Sequence, residues 1–195
     1  MKIIDIIKQS AEFLGLGQEL EVLNNITEDT EETTLQSNEE LSRLLNLSQY
    51  AIQELCTNYI PVTVEEEIQT ENKRYALNKL NNYIKIVEIT KDGNFVDYKI
   101  VGRNITFAED GKYFIKFATY PKISSLFDEI DFLQTFSPDV LVMGLCSFYA
   151  LTKGMFEEYD IFRRTYCEKA EGLKQLKVFE MPMRRWGWVL KNLLK

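Results

Sequence analysis

YIKIVEITKDGNFVDYKIV, from Tyr83 to Val101, sets two runs of β-branched and aromatic residues on either side of a tight-turn signal. Such residues suit a pleated, half-buried surface. Asp92-Gly93-Asn94 between them reads as a hairpin turn, because glycine accepts the positive φ such turns require. The same pattern continues in NITF (Asn104–Phe107) and KYFIKFAT (Lys112–Thr119), with a second turn signal at Asp110-Gly111. Tyr75 to Leu80 reads as a further strand. The region 62–120 is therefore expected to be an antiparallel β-meander of four to five strands, whose edges must be covered.

Outward from this insert the periodicity changes to that of helices. Upstream, Ile3, Ile4, Ile7, Ala11 and Leu14 share one face of a first helix that Gly15 and Gly17 end. Glu19 to Leu23 adds a turn. Residues 24–37, dense in Thr, Glu and Asn, read as an acidic flexible linker. Ser37 and Glu40 fit a capping box. From there Leu41, Leu44, Leu45, Ser48, Ala51, Ile52, Leu55 and Tyr59 recur at helical spacing over Asn38–Tyr59, and Pro61 stops the helix.

Downstream, Ser137-Pro138-Asp139 is a helix start. Val140 to Leu151 is apolar almost all round, as for a helix at the centre of a core. After Lys153-Gly154, the residues Met155, Phe156, Tyr159, Phe162, Tyr166, Ala170 and Leu173 mark one more amphipathic helix. The predicted fold class is α+β. A mainly helical core of about four helices carries the inserted meander in a single domain, 1–195, with a core helix pair at 137–176 and a contact arm at 178–195.

Composition removes several function classes. The chain of 195 residues has no histidine, so it lacks the commonest general base and metal ligand. Cysteine–histidine and serine–histidine nucleophiles are excluded within it. Its three cysteines, Cys56, Cys146 and Cys167, lie far apart in helix-like segments, as expected for reduced, buried thiols in a cytosolic product. The net charge of −7, from 30 acidic and 23 basic residues, argues against a simple nucleic-acid-binding surface. No apolar run approaches the ~20 residues of a membrane span, and the N-terminus does not read as a signal peptide.

The remaining constellations have bland readings. Asp128, Glu129 and Asp131 lack the spacing and glycine of a calcium loop. Glu157 and Glu158 are helix neighbours that point in different directions, not an acid/base pair. Gly15-Leu16-Gly17 lacks the strand and third glycine of a phosphate loop. Phe156, Tyr159, Phe162 and Tyr166 follow core spacing rather than that of a base-stacking surface. Arg103, Lys112 and Lys116 are too sparse for a nucleic-acid site. No cofactor or metal site is expected.

EMPMRRWGW, Glu180 to Trp188, contains both tryptophans of the chain behind an arginine pair. One reading is an arm folded back on its own core. The other is a contact arm, since Trp and Arg are enriched among interface hot spots. Pro182 keeps the residue before it extended, and VLKNLLK follows as a short basic amphipathic tail.

In the order of its parts the chain resembles the head–tail connector proteins of tailed bacteriophages, also called adaptor or head-completion proteins. IIDIIKQSAEFLGLGQEL (3–20) is similar to their opening helix. LLNLSQYAIQELCTNYIPV (44–62) is similar to the next helix, running into a proline and a β-rich insert. FSPDVLVMGLCSFYALTKGMFEEYDIFRRTY (136–166) is similar to their two-helix core, and MPMRRW (181–186) to the basic-tryptophan ending of several members. The acidic linker and the tail past Trp188 have no counterpart in this pattern.

The resemblance implies a structural virion protein without catalysis. It would form a homo-oligomeric ring, commonly dodecameric, beneath the portal protein in the neck of the virion, after assembly in the host cytoplasm. The ring would extend the DNA channel, with no sequence-specific DNA binding and no membrane, and present a face to the tail or to the next ring protein. Arg184, Arg185, Trp186 and Trp188 become candidate partner-binding residues. Two alternatives stand beside it. One is a non-enzymatic regulatory or scaffold module that uses the same arm on another partner; the other is an enzyme working with carboxylates alone.

Overall fold

The computed structural model describes residues 1–130 and 137–179, with side chains described as far as 173. It is a mixed α+β protein. The helices are α1 (Ile3–Leu14), α2 (Gly17–Asn25), α3 (Glu31–Ser37), α4 (Glu39–Asn58), α5 (Asp139–Lys153) and α6 (Phe156–Phe179). Between α4 and α5 lie β1 (Val62–Gln69), β2 (Arg74–Ala76), β3 (Lys85–Lys91), β4 (Asn94–Phe95), β5 (Lys99–Val101), β6 (Asn104–Thr106) and β7 (Lys112–Thr119).

The apolar α5 is the centre of the helical body. Val140 to Ser147 are all buried, and α1, α4 and α6 pack around them. Gly144 lets α6 come close: a Cβ there would stand 3.0 Å from Cε2 of Tyr166 and 3.4 Å from Cβ of Ala51. Tyr166 is wholly buried and meets Tyr59 edge-on, with ring centroids 6.0 Å apart. Ile3, Ile7, Leu44, Ile52 and Leu55 complete this core.

The strands form two antiparallel sheets, ordered β1-β7-β3-β4 and β2-β6-β5. A second core of Ile68, Ile89, Ile105, Phe107, Tyr113, Ile115 and Phe117 joins them. At the β3–β4 turn both Asp92 (φ 50°) and Gly93 (φ 77°) take positive φ, the backbone a two-residue hairpin needs. The first and last strands pair along their whole length, from Val62 opposite Thr119 to Gln69 opposite Lys112.

Several expectations change. The insert holds seven strands in two sheets, not a meander of four to five, because a single sheet would leave one apolar face of β7 in water. The expected strand Phe95–Val101 is split between β4 and β5, with Val96 and Tyr98 turned onto the core between the sheets. Tyr75–Leu80 is β2 followed by a 3-10 turn, Leu77–Lys79.

The stretch 24–37, expected as a linker, ends in helix α3. It is held because Glu31 accepts hydrogen bonds from Ser125 Oγ (2.7 Å) and the Leu126 N–H (2.6 Å). Asn38, not Ser37, caps α4 by accepting from the Leu41 N–H at 3.0 Å. The Ser37 hydroxyl instead donates back to Thr33 O and Thr34 O within α3. Phe156, the first residue of α6, is 66% exposed rather than part of the packed stripe of Tyr159, Phe162, Tyr166 and Ala170. Cys56 and Cys146 are buried, whereas Cys167 is only half-buried. Helix α6 runs to Phe179, past the expected end of the helix pair at 176.

Candidate interaction surfaces

Polar side chains tie the helical body together. Glu54 and Arg163 meet across α4 and α6 through two parallel hydrogen bonds, one of 2.8 Å. The planar guanidinium fork matches a carboxylate at two points, which fixes geometry as well as adding energy. Arg163 also lies 5.1 Å over the Tyr166 ring. The hydrogen bonds it donates to Glu54 raise its pKa, so it stays charged. At the other end of α4, Glu40 accepts from Lys153 Nζ (2.5 Å) and the Tyr149 hydroxyl (3.2 Å). The Lys153 hydrogen bond holds the Glu40 carboxyl below the usual glutamate range.

Chemically, these groups are in resting states. Burial pushes the Cys146 thiol up to about 12, so it is no nucleophile near neutral pH. Burial also raises the pKa of Tyr166, whose hydroxyl has no hydrogen-bond partner among the described residues. Asp128 closes a loop by accepting from the N–H groups of Ser124 (2.7 Å) and Ser125 (2.9 Å). Glu129 bridges to Lys2 through the backbone, and Asp131 lies outside the described residues. Glu157 and Glu158 are solvent-exposed in the first turn of α6. Among the described residues, no group of three or more Cys, Asp or Glu side chains is placed to hold a metal ion.

The β insert presents the more distinctive surface. Register places Glu67, Phe114, Thr90 and Phe95 in one row across β1, β7, β3 and β4, on the face away from the inner core. Phe95 is 80% exposed and Phe114 42%. A neighbouring row sets Lys116 between Glu65 and Glu88, and Lys112 Nζ reaches Glu67 at 2.9 Å. Lys112 and Lys116 are thus members of a mixed-charge face. Arg103 sits apart from them in the β5–β6 turn. On the second sheet the edge strand β5 leaves Ile100 and Val101 exposed.

Grooves also mark the surface of the helical body. One, of about 390 Å³, is lined by Glu28, Glu31, Glu32, Leu35 and Gln36. Another, of about 530 Å³, runs beside Tyr50, Glu54, Phe148, Leu151 and Arg163. Neither gathers a set of groups with catalytic geometry.

The candidate contact residues Arg184, Arg185, Trp186 and Trp188 lie outside the described residues. The exposed Phe95, Ile100, Val101 and Phe114 were missed by sequence reasoning. Their signal was register, since only the pairing of strands shows which apolar side chains face outward. Among the protein families and curated proteins compared with it, none matches this chain.

Proposed function

We propose that this protein is a structural subunit of a head–tail connector ring, placed below the portal of a tailed phage, where it extends the DNA channel and joins head to tail. The observation that carries the reading is the set of apolar side chains left exposed on the β insert, Phe95, Ile100, Val101 and Phe114. Phe95 and Phe114 lie in one row on the outer face of the first sheet, and Ile100 and Val101 lie on the edge strand of the second; adjoining exposed apolar side chains mark sites of association. The order of helices, β-rich insert and helix pair, read with the connector resemblance, supplies the partners: further copies, the portal, and the tail or next ring. A ring formed by rotation joins two different faces of each copy, and repeated contacts add through multivalency. A net charge of −7 suits a lumen through which DNA passes without being gripped.

The test is assembly. The purified chain, alone and with its portal, is imaged by negative stain and sized by light scattering. Rings, or decorated portals, are the expected result; a persistent monomer that never binds the portal overturns the proposal. Trp186→Ala is expected to weaken assembly by about 2 kcal/mol or more while leaving monomer melting unchanged. Collapse of the melting temperature with normal assembly of the remaining folded protein would mean the tryptophan fills the chain's own core instead.

A further inference from the structure

The longest strand edge among the described residues has a partner on one side only. β1 pairs with β7 through all eight of its residues, and among the described residues nothing pairs with its other side. The other sheet edges are shorter: β2 and β5 have three residues each, and two-residue β4 leaves only Lys85–Glu88 of β3 unpaired, a stretch interrupted by a bulge at Ile86–Glu88. An unblunted edge is a template for an added strand. This one is also acidic, with Glu65, Glu66 and Glu67 in succession. Glu65 and Glu67 point to the outer face. Glu66, half-buried, shares the inner face with Ile68; burial, and secondarily the charge of Glu66, raises the pKa of Tyr75.

The chain contains one segment of matching chemistry. Residues 181–188, MPMRRWGW, lie beyond the described part of α6 and contain two adjacent cations and no acid. At about 3.3 Å per residue the segment and β1 both span roughly 26 Å. Pro182 biases Met181 to extended backbone. In a paired strand, successive side chains alternate between faces. Arg184 and Arg185 would therefore point to opposite sides of the sheet, and the three consecutive glutamates offer an acid on each side. Trp186 and Trp188, two apart, would fall together on one face.

We infer that the free edge of β1 accepts residues 181–188 of a neighbouring copy as an added strand, with Arg184 and Arg185 set against Glu65–Glu67. The exchange between copies rests on the ring reading; the edge and its charge do not. Backbone hydrogen bonds supply the affinity, and the charge match fixes the register. The contact is heterologous, since the β1 edge of one copy meets the C-terminal segment of the next.

Engineered disulfides test it in the full-length chain on a Cys167→Ala background. A disulfide forms only when Cα atoms come within about 4.4–6.8 Å, which directly opposed strand positions satisfy. Chains with Thr63→Cys, Glu65→Cys or Glu67→Cys are mixed, under mild oxidation, with chains with Arg184→Cys or Arg185→Cys. A disulfide-linked pair of different chains is the expected result. If a chain with both substitutions forms only an internal bond, the segment folds on its own β1 and the exchange is overturned. If rings form without any adduct, the pairing is overturned, the glutamates merely guard the edge, and the ring reading survives. Adducts without rings keep the pairing and defeat the ring, and the absence of both defeats both. Independently, Glu65→Lys with Glu67→Lys lowers assembly about tenfold, and adding Arg184→Glu with Arg185→Glu restores it. Failure of that rescue in a folded protein overturns the charge match.

Discussion

Adding a single methyl group at Gly144 tests how the helical body is packed. A Cβ at this position would stand 3.0 and 3.1 Å from two ring carbons of Tyr166 and 3.4 Å from Ala51. The ring has little room to retreat, because Tyr166 is wholly buried and braced by Tyr59 on its edge. Overpacking of this kind costs about 1–3 kcal/mol. Alanine returns about 1 kcal/mol through its higher helix propensity. The net expectation for Gly144→Ala is a loss of about 1 kcal/mol, or about 2–4 °C in Tm for a chain of this size.

Gly172 in α6 is the control, since a Cβ there meets nothing within 4 Å. Gly172→Ala keeps the propensity gain alone and is expected to stabilise by about 1 kcal/mol. The difference between the two variants isolates the clash. Urea unfolding followed by circular dichroism, with unchanged m values, measures both. If Gly144→Ala rises with Gly172→Ala to within about 0.5 kcal/mol, α5 and α6 do not approach as described and the reasoning fails.

Two further predictions concern charge and thiol chemistry. The folded pKa of Glu40 is lowered by Lys153, so the pair's stabilisation is complete above the unfolded glutamate pKa and is lost as pH falls through the folded value. The gap in urea midpoint between the native chain and Lys153→Met should be widest near pH 7, begin to close as pH falls through the unfolded glutamate range of about 4.3, and vanish only below the folded value; a gap indifferent to acid would contradict the assignment. With burial holding the Cys146 thiol up to about 12, alkylation of the native protein near pH 8 should spare Cys146 and reach the half-buried Cys167 first. Peptide mapping that finds Cys146 modified as fast as Cys167 would show that the core opens there.

The helices were legible where one face decides the matter. The stripe from Leu41 to Leu55 is buried apart from the half-buried Leu45, and the apolar run from Val140 to Leu151 is buried apart from the half-buried Phe148 and the exposed Leu151 at its end. Helix α3 was not legible, because it buries no side chain fully and sets only Leu35, half-buried, against the helical core. It depends on Glu31 reaching a loop 94 residues further along the chain. Strand β1 was hidden by its charge: Val62, Val64 and Ile68 alternate as a strand should, but Glu66 occupies an inward position among them. The Phe95–Val101 run had strand composition throughout, yet composition cannot say that its two ends belong to different sheets. For the interaction surface, the arginine–tryptophan segment stood out by residue type, whereas Phe95 and Phe114 became neighbours across Thr90 only through three-dimensional register.

The pairing of β1 with β7 has a topological consequence. Val62 and Thr119 face each other across one ladder position, so the chain leaves the helices and returns to them at nearly the same point. Directly opposed residues in such a ladder have Cα atoms only about 5 Å apart. To the helices, everything between these two residues is a closed loop hung on a two-stranded stem. Its length and decoration can change with little effect on how α4 and α5 meet, since lengthening an already closed loop adds little entropy cost. The helical body can thus stay constant while the insert is exchanged like a cassette, which separates the part that holds the fold from the part free to vary.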